Sequence, residues 1–197
     1  MKRIFDAFFS VLGLIVLFPI LIIIAIIIKI DSTGPVFYRQ TRVGQYNKDF
    51  KIFKFRTMHL NADKLGLLTV GDRDPRVTNM GFYLRKFKLD EFPQLINVLI
   101  GNMSFVGPRP EVRKYVNLYS VSDLEILNIK PGITDYASIK FRDEAEIMSK
   151  STKPEEVYIN DIMPEKIRLN KIYIKEQGLF TDVKIIFLTF ASILPKQ

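Results

Sequence analysis

The chain opens with one long apolar run and continues with shorter segments whose hydrophobic positions are spaced. Residues 7–28, AFFSVLGLIVLFPILIIIAIII, contain no charged side chain. At about 1.5 Å rise per residue such a helix reaches ~33 Å, enough for a bilayer core of ~30 Å. A small soluble domain rarely holds a helix apolar on every side, because its surface helices keep one polar face. A cleaved signal sequence fits poorly: the run is too long, and KIDSTGPVF follows it instead of a small-residue cleavage site. Pro19 stands near the middle, where it removes a backbone donor and crowds the Ile15 carbonyl. Lys2 and Arg3 precede the run, and Lys29, Arg39 and Arg42 follow it. The positive-inside bias therefore draws both flanks to the cytoplasmic side. Two arrangements satisfy this pattern: a kinked single span, or a helix that enters, breaks at Pro19 and returns to the same face.

Beyond Gly34-Pro35 the pattern shortens. VFYRQTRVG (36–44) and DFKIFKFRTM (49–58) read as strands joined across GQYNK, with Phe50, Ile52, Lys54, Arg56 and Met58 on one face. DRDPRVT (72–78) reads as loop, and 79–88 as a short basic helix holding Arg85, Lys86 and Lys88. Asp90 then stands where it can cap a helix with the apolar stripe Phe92, Leu95, Ile96 and Leu99. Pro93 is tolerated in its first turn, and Gly101 stops it. KPGIT (130–134) is a turn, and YINDIMPEKIRLNKIYIKEQG (158–178) is helical with an interruption at Pro164. Residues 179–194 form a last helix opened by Thr181 and Asp182, too short to cross a bilayer. It either packs in the core or lies on the membrane surface. The predicted class is α+β, mostly helical, with a membrane-inserted part over 1–30 and a cytosolic domain over 31–197.

Composition narrows the chemistry. Among 197 residues, 29 Lys and Arg stand against 21 Asp and Glu, a net charge of +8 that points to anionic partners. No cysteine is present, so disulfides and thiolate chemistry are excluded, and with His59 the one histidine a zinc site is not expected. What remains is oxygen and nitrogen chemistry. KLDEFPQL (88–95) sets Asp90 beside Glu91, and hard carboxylate oxygens of this kind suit Mg²⁺ completed by substrate phosphates. In SFVGPRPE (104–111), Arg109 lies between two prolines, which restrict its backbone and pre-aim a guanidinium at phosphate. Lys54 on a strand face is either a third charged group of that site or a lysine whose head snorkels to water. A Walker-type loop is missing, since GLLTVGDR (66–73) lacks the Lys-Ser/Thr, and there is no G-x-G-x-x-G.

These segments carry a resemblance. In order, KRIFDAFFSVLGLIVLFPI, STGPVFYRQTRVG, FKIFKFRTM, RKFKLDEFPQLINVLIGNMSFVGPRP and PGIT are similar to the bacterial initiating sugar transferases. These are the monotopic phosphoglycosyl transferases. The resemblance implies transfer of a sugar-1-phosphate from a UDP-sugar to undecaprenyl phosphate, with Mg²⁺, at the cytoplasmic face of the bacterial inner membrane. It implies a re-entrant helix broken at Pro19, with Asp90 as nucleophile and Glu91 as a metal-holding partner. It places Lys54, Arg109 and Arg142 against substrate and Arg85 against lipid phosphate. Two departures stand out: Phe18 replaces the serine usual before the proline, and DYASIKFRDEAEIMSK follows PGIT where compact members carry glycine and tryptophan.

Two other classes fit parts of the pattern. A basic membrane-anchored binding module accounts for the charge and leaves the acid pair unexplained. Outside residues 49–56 no basic stripe interleaved with aromatics appears, so nucleic acid is not an expected partner. A membrane phosphohydrolase would use Asp90 in the same way and give the phosphoryl group to water. A homodimer is compatible with either enzyme.

Overall fold

The computed structural model describes residues 1–62, Gly66, Leu68, Gly71 and 74–193, the side chain of Ile193 excepted. The loop expected over 72–78 and the segment 66–73 therefore lie partly outside the described residues. The predicted class holds: among the described residues helices dominate, with two small two-stranded sheets.

Helix α1 is Lys2–Asp31, a single run of helix with Pro19 inside it, not two helices separated at the proline. Its inward face is a stripe of Asp6, Ser10, Ile24 and Ile28. Gly13 continues that stripe, where the absent side chain admits Leu95. Spacings of three and four residues keep these positions on one side of a helix. The other side bears Ile4, Phe8, Ile15, Val16, Phe18, Ile23, Ile26 and Ile30, each more than half exposed. Only 11% of its most apolar window is buried, so α1 is not the core helix of a soluble domain. This uncovered apolar face makes the chain membrane-associated.

Both ends of α1 are fastened to the same body. At the start, Lys2 donates to the Val106 carbonyl at 3.0 Å, to the Tyr173 hydroxyl at 3.0 Å and to Asp182. Arg3 donates to the carbonyls of Val98 and Leu99 at 2.5 and 2.6 Å, and Asp6 accepts from the Phe105 N–H at 3.2 Å. At the other end, buried Arg56 donates to the Ser32 carbonyl at 2.7 Å and to that of Thr33. There Ile24 and Ile28 pack with Phe55 and Leu84.

The predicted hairpin is present. Strands β1 (Phe37–Val43) and β2 (Asp49–Phe55) pair antiparallel with Phe37 opposite Phe55 and Val43 opposite Asp49. Tyr46 and Asn47 turn the chain in the left-handed region, and the Gly44 N–H donates to the Lys48 carbonyl at 2.8 Å. Helix α2 is Asn79–Lys86, capped by Thr78, whose hydroxyl accepts from the Gly81 N–H at 3.0 Å. Gly81 is required: a Cβ there would overlap the Thr57 carbonyl oxygen.

Helix α3, Gln94–Ile100, corrects two readings. It begins four residues after Asp90, and Asp90 lies in a separate 3₁₀ turn, Leu89–Glu91, so it is not the cap. The buried face is Gln94, Leu95, Asn97 and Val98; of the expected stripe Phe92, Leu95, Ile96 and Leu99, only Leu95 is buried. Asn97 is buried because its amide takes the outer edge of β2: it accepts from the Phe53 N–H and donates to the Lys51 carbonyl, both at 2.8 Å. A strand edge that would otherwise lie unpaired against a helix is satisfied by one side chain.

Strands β3 (Ser104–Val106) and β4 (Gly132–Thr134) pair parallel and bring SFVGPRP onto PGIT. Gly107 and Gly132 touch backbone to backbone, and a Cβ on either would overlap the neighbouring chain. The short helices α4 (Arg113–Val116), α5 (Tyr136–Lys140), α6 (Glu144–Ser149) and α7 (Pro154–Val157) lead to α8 (Met163–Glu176) and α9 (Leu179–Ile193). Pro164 does not interrupt the predicted helix. Residues Tyr158–Ile162 form a π-helical turn and the run continues into α8, with Pro164 just after that turn. Asp182 is likewise not a cap: its carboxylate accepts from Lys2 and from the Tyr173 hydroxyl at 2.7 Å. Helix α9 buries Ile185 and exposes Phe180, Phe187 and Phe190, so it both packs in the core and presents an aromatic face.

Candidate active site

The residues singled out from the sequence converge on one cleft of about 900 Å³, lined by Lys54, Arg85, Asp90, Glu91, Arg109 and Arg142 among others. Each arrives from a different element. Lys54 comes from β2, and Arg85 from the last turn of α2. Lys88 adopts the left-handed conformation at φ 56°, which turns the chain sharply into the 3₁₀ turn carrying the acid pair. A non-glycine residue held there is the kind of local strain that recurs at functional sites. Arg109 comes from the loop after β3, and Arg142 from just beyond α5.

The two carboxylates are treated differently. Glu91 holds the cations: one oxygen accepts from Lys54 Nζ at 3.0 Å and from Arg109, the other from Arg109 at 3.0 Å. Burial pushes the Glu91 carboxyl up, but the charges of Arg109 and Lys54 and the Arg109 hydrogen bond overturn that and hold it well below the usual range. Asp90 is buried too, yet its carboxylate has no hydrogen bond or ion pair among the described residues. Burial raises its pKa most; the Lys54 charge pulls back and the neighbouring Glu91 charge adds to the rise. Burial also lowers Lys54, against the opposing pull of Glu91. The result is one firmly ionised carboxylate engaged by two cations beside one that is unengaged and more basic. Paired titrating groups pushed apart in this way mark a division of roles.

Arg109 is aimed through its backbone. Pro108 and Pro110 have no N–H, so the Arg109 N–H is the one backbone donor of that triplet, and it donates to Asp135 Oδ2 at 3.0 Å. The other Asp135 oxygen accepts from the Ser138 N–H at 2.5 Å and starts α5. Asp135, fully buried, is the residue that sequence reasoning missed. The Asp-x-x-Ser spacing signals a helix cap; the bond to Arg109 depends on the β3–β4 pairing, which three-residue strands do not announce. Arg142 also lines the cleft; it donates to the Ser192 carbonyl of α9 and lies 3.9 Å from Asp143.

Whether these residues suit a divalent cation can be judged from the donors. Among the described residues no three acidic or imidazole groups converge. Mg²⁺ does not need that, since it takes one or two carboxylates with waters and substrate phosphates. Asp90 offers unengaged oxygens. Glu91 has three of about four acceptor positions taken, leaving one. The pair fits a metal ion that arrives with phosphate.

Fold and cleft together describe a membrane-associated protein with a carboxylate-bearing, cation-lined site. Residues 1–196 match the family described as bacterial sugar transferase, and the chain belongs to that family. It is 36% identical over 197 residues to the UDP-glucose:undecaprenyl-phosphate glucose-1-phosphate transferase of Escherichia coli K12, covering 96% of this chain and 39% of that protein. It is 37% identical over 199 residues to the UDP-N-acetylgalactosamine-undecaprenyl-phosphate N-acetylgalactosaminephosphotransferase of Aeromonas hydrophila, with 98% and 43% covered. An exopolysaccharide production protein of Rhizobium leguminosarum is 35% identical over 204 residues, covering 100% of this chain and 96% of that one. The chain thus spans about two fifths of the length of the first two.

Proposed function

We propose that the protein transfers a sugar-1-phosphate from a UDP-sugar to undecaprenyl phosphate, through a covalent intermediate on Asp90. The observation that carries this reading is the asymmetry of the acid pair: Glu91 is held by Lys54 and Arg109, while Asp90 is buried, unengaged and of raised basicity. The names of the relatives supply the donor and acceptor classes.

An Asp90 oxygen attacks the sugar-bearing phosphorus, the bond to the UMP oxygen breaks, and UMP leaves with the electron pair. An oxygen of undecaprenyl phosphate then attacks the same phosphorus and returns Asp90 as a carboxylate. Covalent catalysis of this kind divides one displacement into two. Arg109 and Lys54 neutralise charge on the phosphoryl oxygens, and Glu91 holds both in position. Mg²⁺ bound by Asp90, Glu91 and the diphosphate would supply further charge neutralisation.

The docking of both ends of α1 on one body supports a chain whose termini face the same side, with the exposed apolar face of α1 in the cytoplasmic leaflet of the inner membrane. A lipid acceptor then meets the cleft without leaving the bilayer, since Phe9, Gly13 and Leu17 of α1 line its wall.

Purified protein incubated with UDP-sugars, Mg²⁺ and undecaprenyl phosphate tests the reading. Transfer that disappears in Asp90→Asn supports it. Release of free sugar phosphate irrespective of acceptor would make the protein a hydrolase, and inactivity across the donors would leave only a binding role.

A further inference from the structure

The cleft extends past the acid pair to a wall that the reaction above does not use. Helix α8 contributes Met163, Lys166 and Asn170, spaced three and four residues apart along one face, and α5 with its following residue contributes Ala137, Ser138 and Phe141. Two polar atoms here have no partner: Asn170 Oδ1 and Ser138 Oγ are both buried and unbonded. Asn170 is only 5% exposed. Buried polar groups are normally hydrogen-bonded, so two orphans on one cavity wall call for an explanation. Lys166 brings little free charge, since it is ion-paired to Glu144. Beside Arg142, which also lines the cleft, the wall offers two neutral oxygens and apolar side chains, unlike the end at Lys54 and Arg109.

We propose that Ser138 and Asn170 form the subsite that reads the sugar of the donor, an inference that rests on the transferase reading above. Asp135 ties this wall to the phosphate end: its single carboxylate accepts from the backbone N–H of Arg109 at 3.0 Å and from the backbone N–H of Ser138 at 2.5 Å, so α5 is fixed to the loop that carries Arg109. Within the donor, the group bonded directly to the attacked phosphorus is the sugar, whereas the uracil lies beyond a second phosphate and a ribose. The chemistry agrees: a sugar ring presents hydroxyl or amide donors to the Asn170 oxygen and the Ser138 hydroxyl, and its C–H face to Phe141 and Met163. A site whose buried polar atoms are completed by substrate donors discriminates against analogues that lack them.

The test compares binding of UDP with binding of UDP-glucose, UDP-galactose, UDP-N-acetylglucosamine and UDP-N-acetylgalactosamine to full-length protein in detergent by calorimetry, with the subsite variants made in an Asp90→Asn background where no covalent intermediate forms. Asn170→Ala and Ser138→Ala are each expected to weaken the best-bound UDP-sugar about tenfold, the worth of one neutral hydrogen bond. Both should leave the affinity for UDP unchanged. Neither should lower the melting temperature, because neither removed oxygen is bonded within the fold, and Ser138→Ala serves should Asn170→Ala disturb α8. Equal weakening of UDP and UDP-sugar would mean the wall reads the nucleotide, and no change in either would mean it reads nothing; both overturn the subsite alone. Wild-type protein that binds neither UDP nor any UDP-sugar would overturn the donor reading itself, and the subsite with it.

Discussion

At the scale of single residues, the site turns on what surrounds two adjacent carboxylates. Glu91 and Asp90 have the same charge and nearly the same burial, yet one pKa is driven down and the other up, because Arg109 and Lys54 hydrogen-bond only Glu91. The consequence is a pH dependence with a definite sign. Asp90 must be ionised to attack, and its raised pKa means this form is lost as pH falls through a value above the ordinary carboxylate range of about 4. The acid limb of kcat/KM should lie correspondingly high. Glu91→Gln removes the neighbouring negative charge that helps raise Asp90, so the limb should move to lower pH even as the rate falls. A limb that stays in place or moves to higher pH in Glu91→Gln would show that the acid limb belongs to another group. The adjacency of the pair was plain in the sequence. Its asymmetry was not, because Lys54 and Arg109 lie 37 and 18 residues away from Glu91 and meet it only through the fold.

At the scale of elements, legibility followed the length of the pattern. The long apolar α1 and the hairpin were legible because each repeats its period over many residues, although β2 ends at Phe55 and not at Met58. The acid pair was assigned to the start of α3 because Asp at such a position is a common cap; the left-handed Lys88 and the prolyl turn at Pro93 instead set off a separate 3₁₀ turn. The interruption expected at Pro164 was absorbed by a π-helical turn, a device invisible to periodicity. Strands β3 and β4 escaped notice because three residues carry no pattern, although their glycines make the contact possible. That contact predicts a sharp contrast. Gly132→Ala forces a Cβ into the Gly107 backbone and should cost about 1–3 kcal/mol or more. For a chain of this size each kcal/mol is worth roughly 2–4 °C in melting temperature. Gly178→Ala, whose nearest atom would stand 3.9 Å away, should melt like the wild type. Equal melting temperatures for the two variants would contradict the close β3–β4 approach.

At the scale of the whole molecule, the N-terminal charges do more than bias topology. Lys2 and Arg3 were legible as flanking charges; in the fold they bind Asp182, Val98 and Leu99, so the first turn of α1 is fastened to the body that also holds its last turn through Arg56. A helix held at both ends by one body should keep both termini on one side of the membrane. Because the chain has no cysteine, the expectation can be checked with a cysteine inserted ahead of Lys2 and, separately, with Lys48→Cys in the hairpin turn. Both should react with an impermeant maleimide only after cells are opened. Labelling of the N-terminal cysteine in intact spheroplasts would place the termini of α1 on opposite sides.

The central claim is that Asp90 becomes covalently attached to the phospho-sugar before the lipid acceptor takes part, and the most direct measurement is the amount of UMP released without acceptor. Once a donor has been found that supports turnover with undecaprenyl phosphate, that donor and Mg²⁺ alone should release about one UMP per active site and then stop. The peptide containing Asp90 should gain the mass of the phospho-sugar, and Asp90→Asn should show neither burst nor adduct. No UMP in the absence of acceptor, from protein that turns over when acceptor is added, would mean that the lipid phosphate attacks the donor directly and that Asp90 is not the nucleophile.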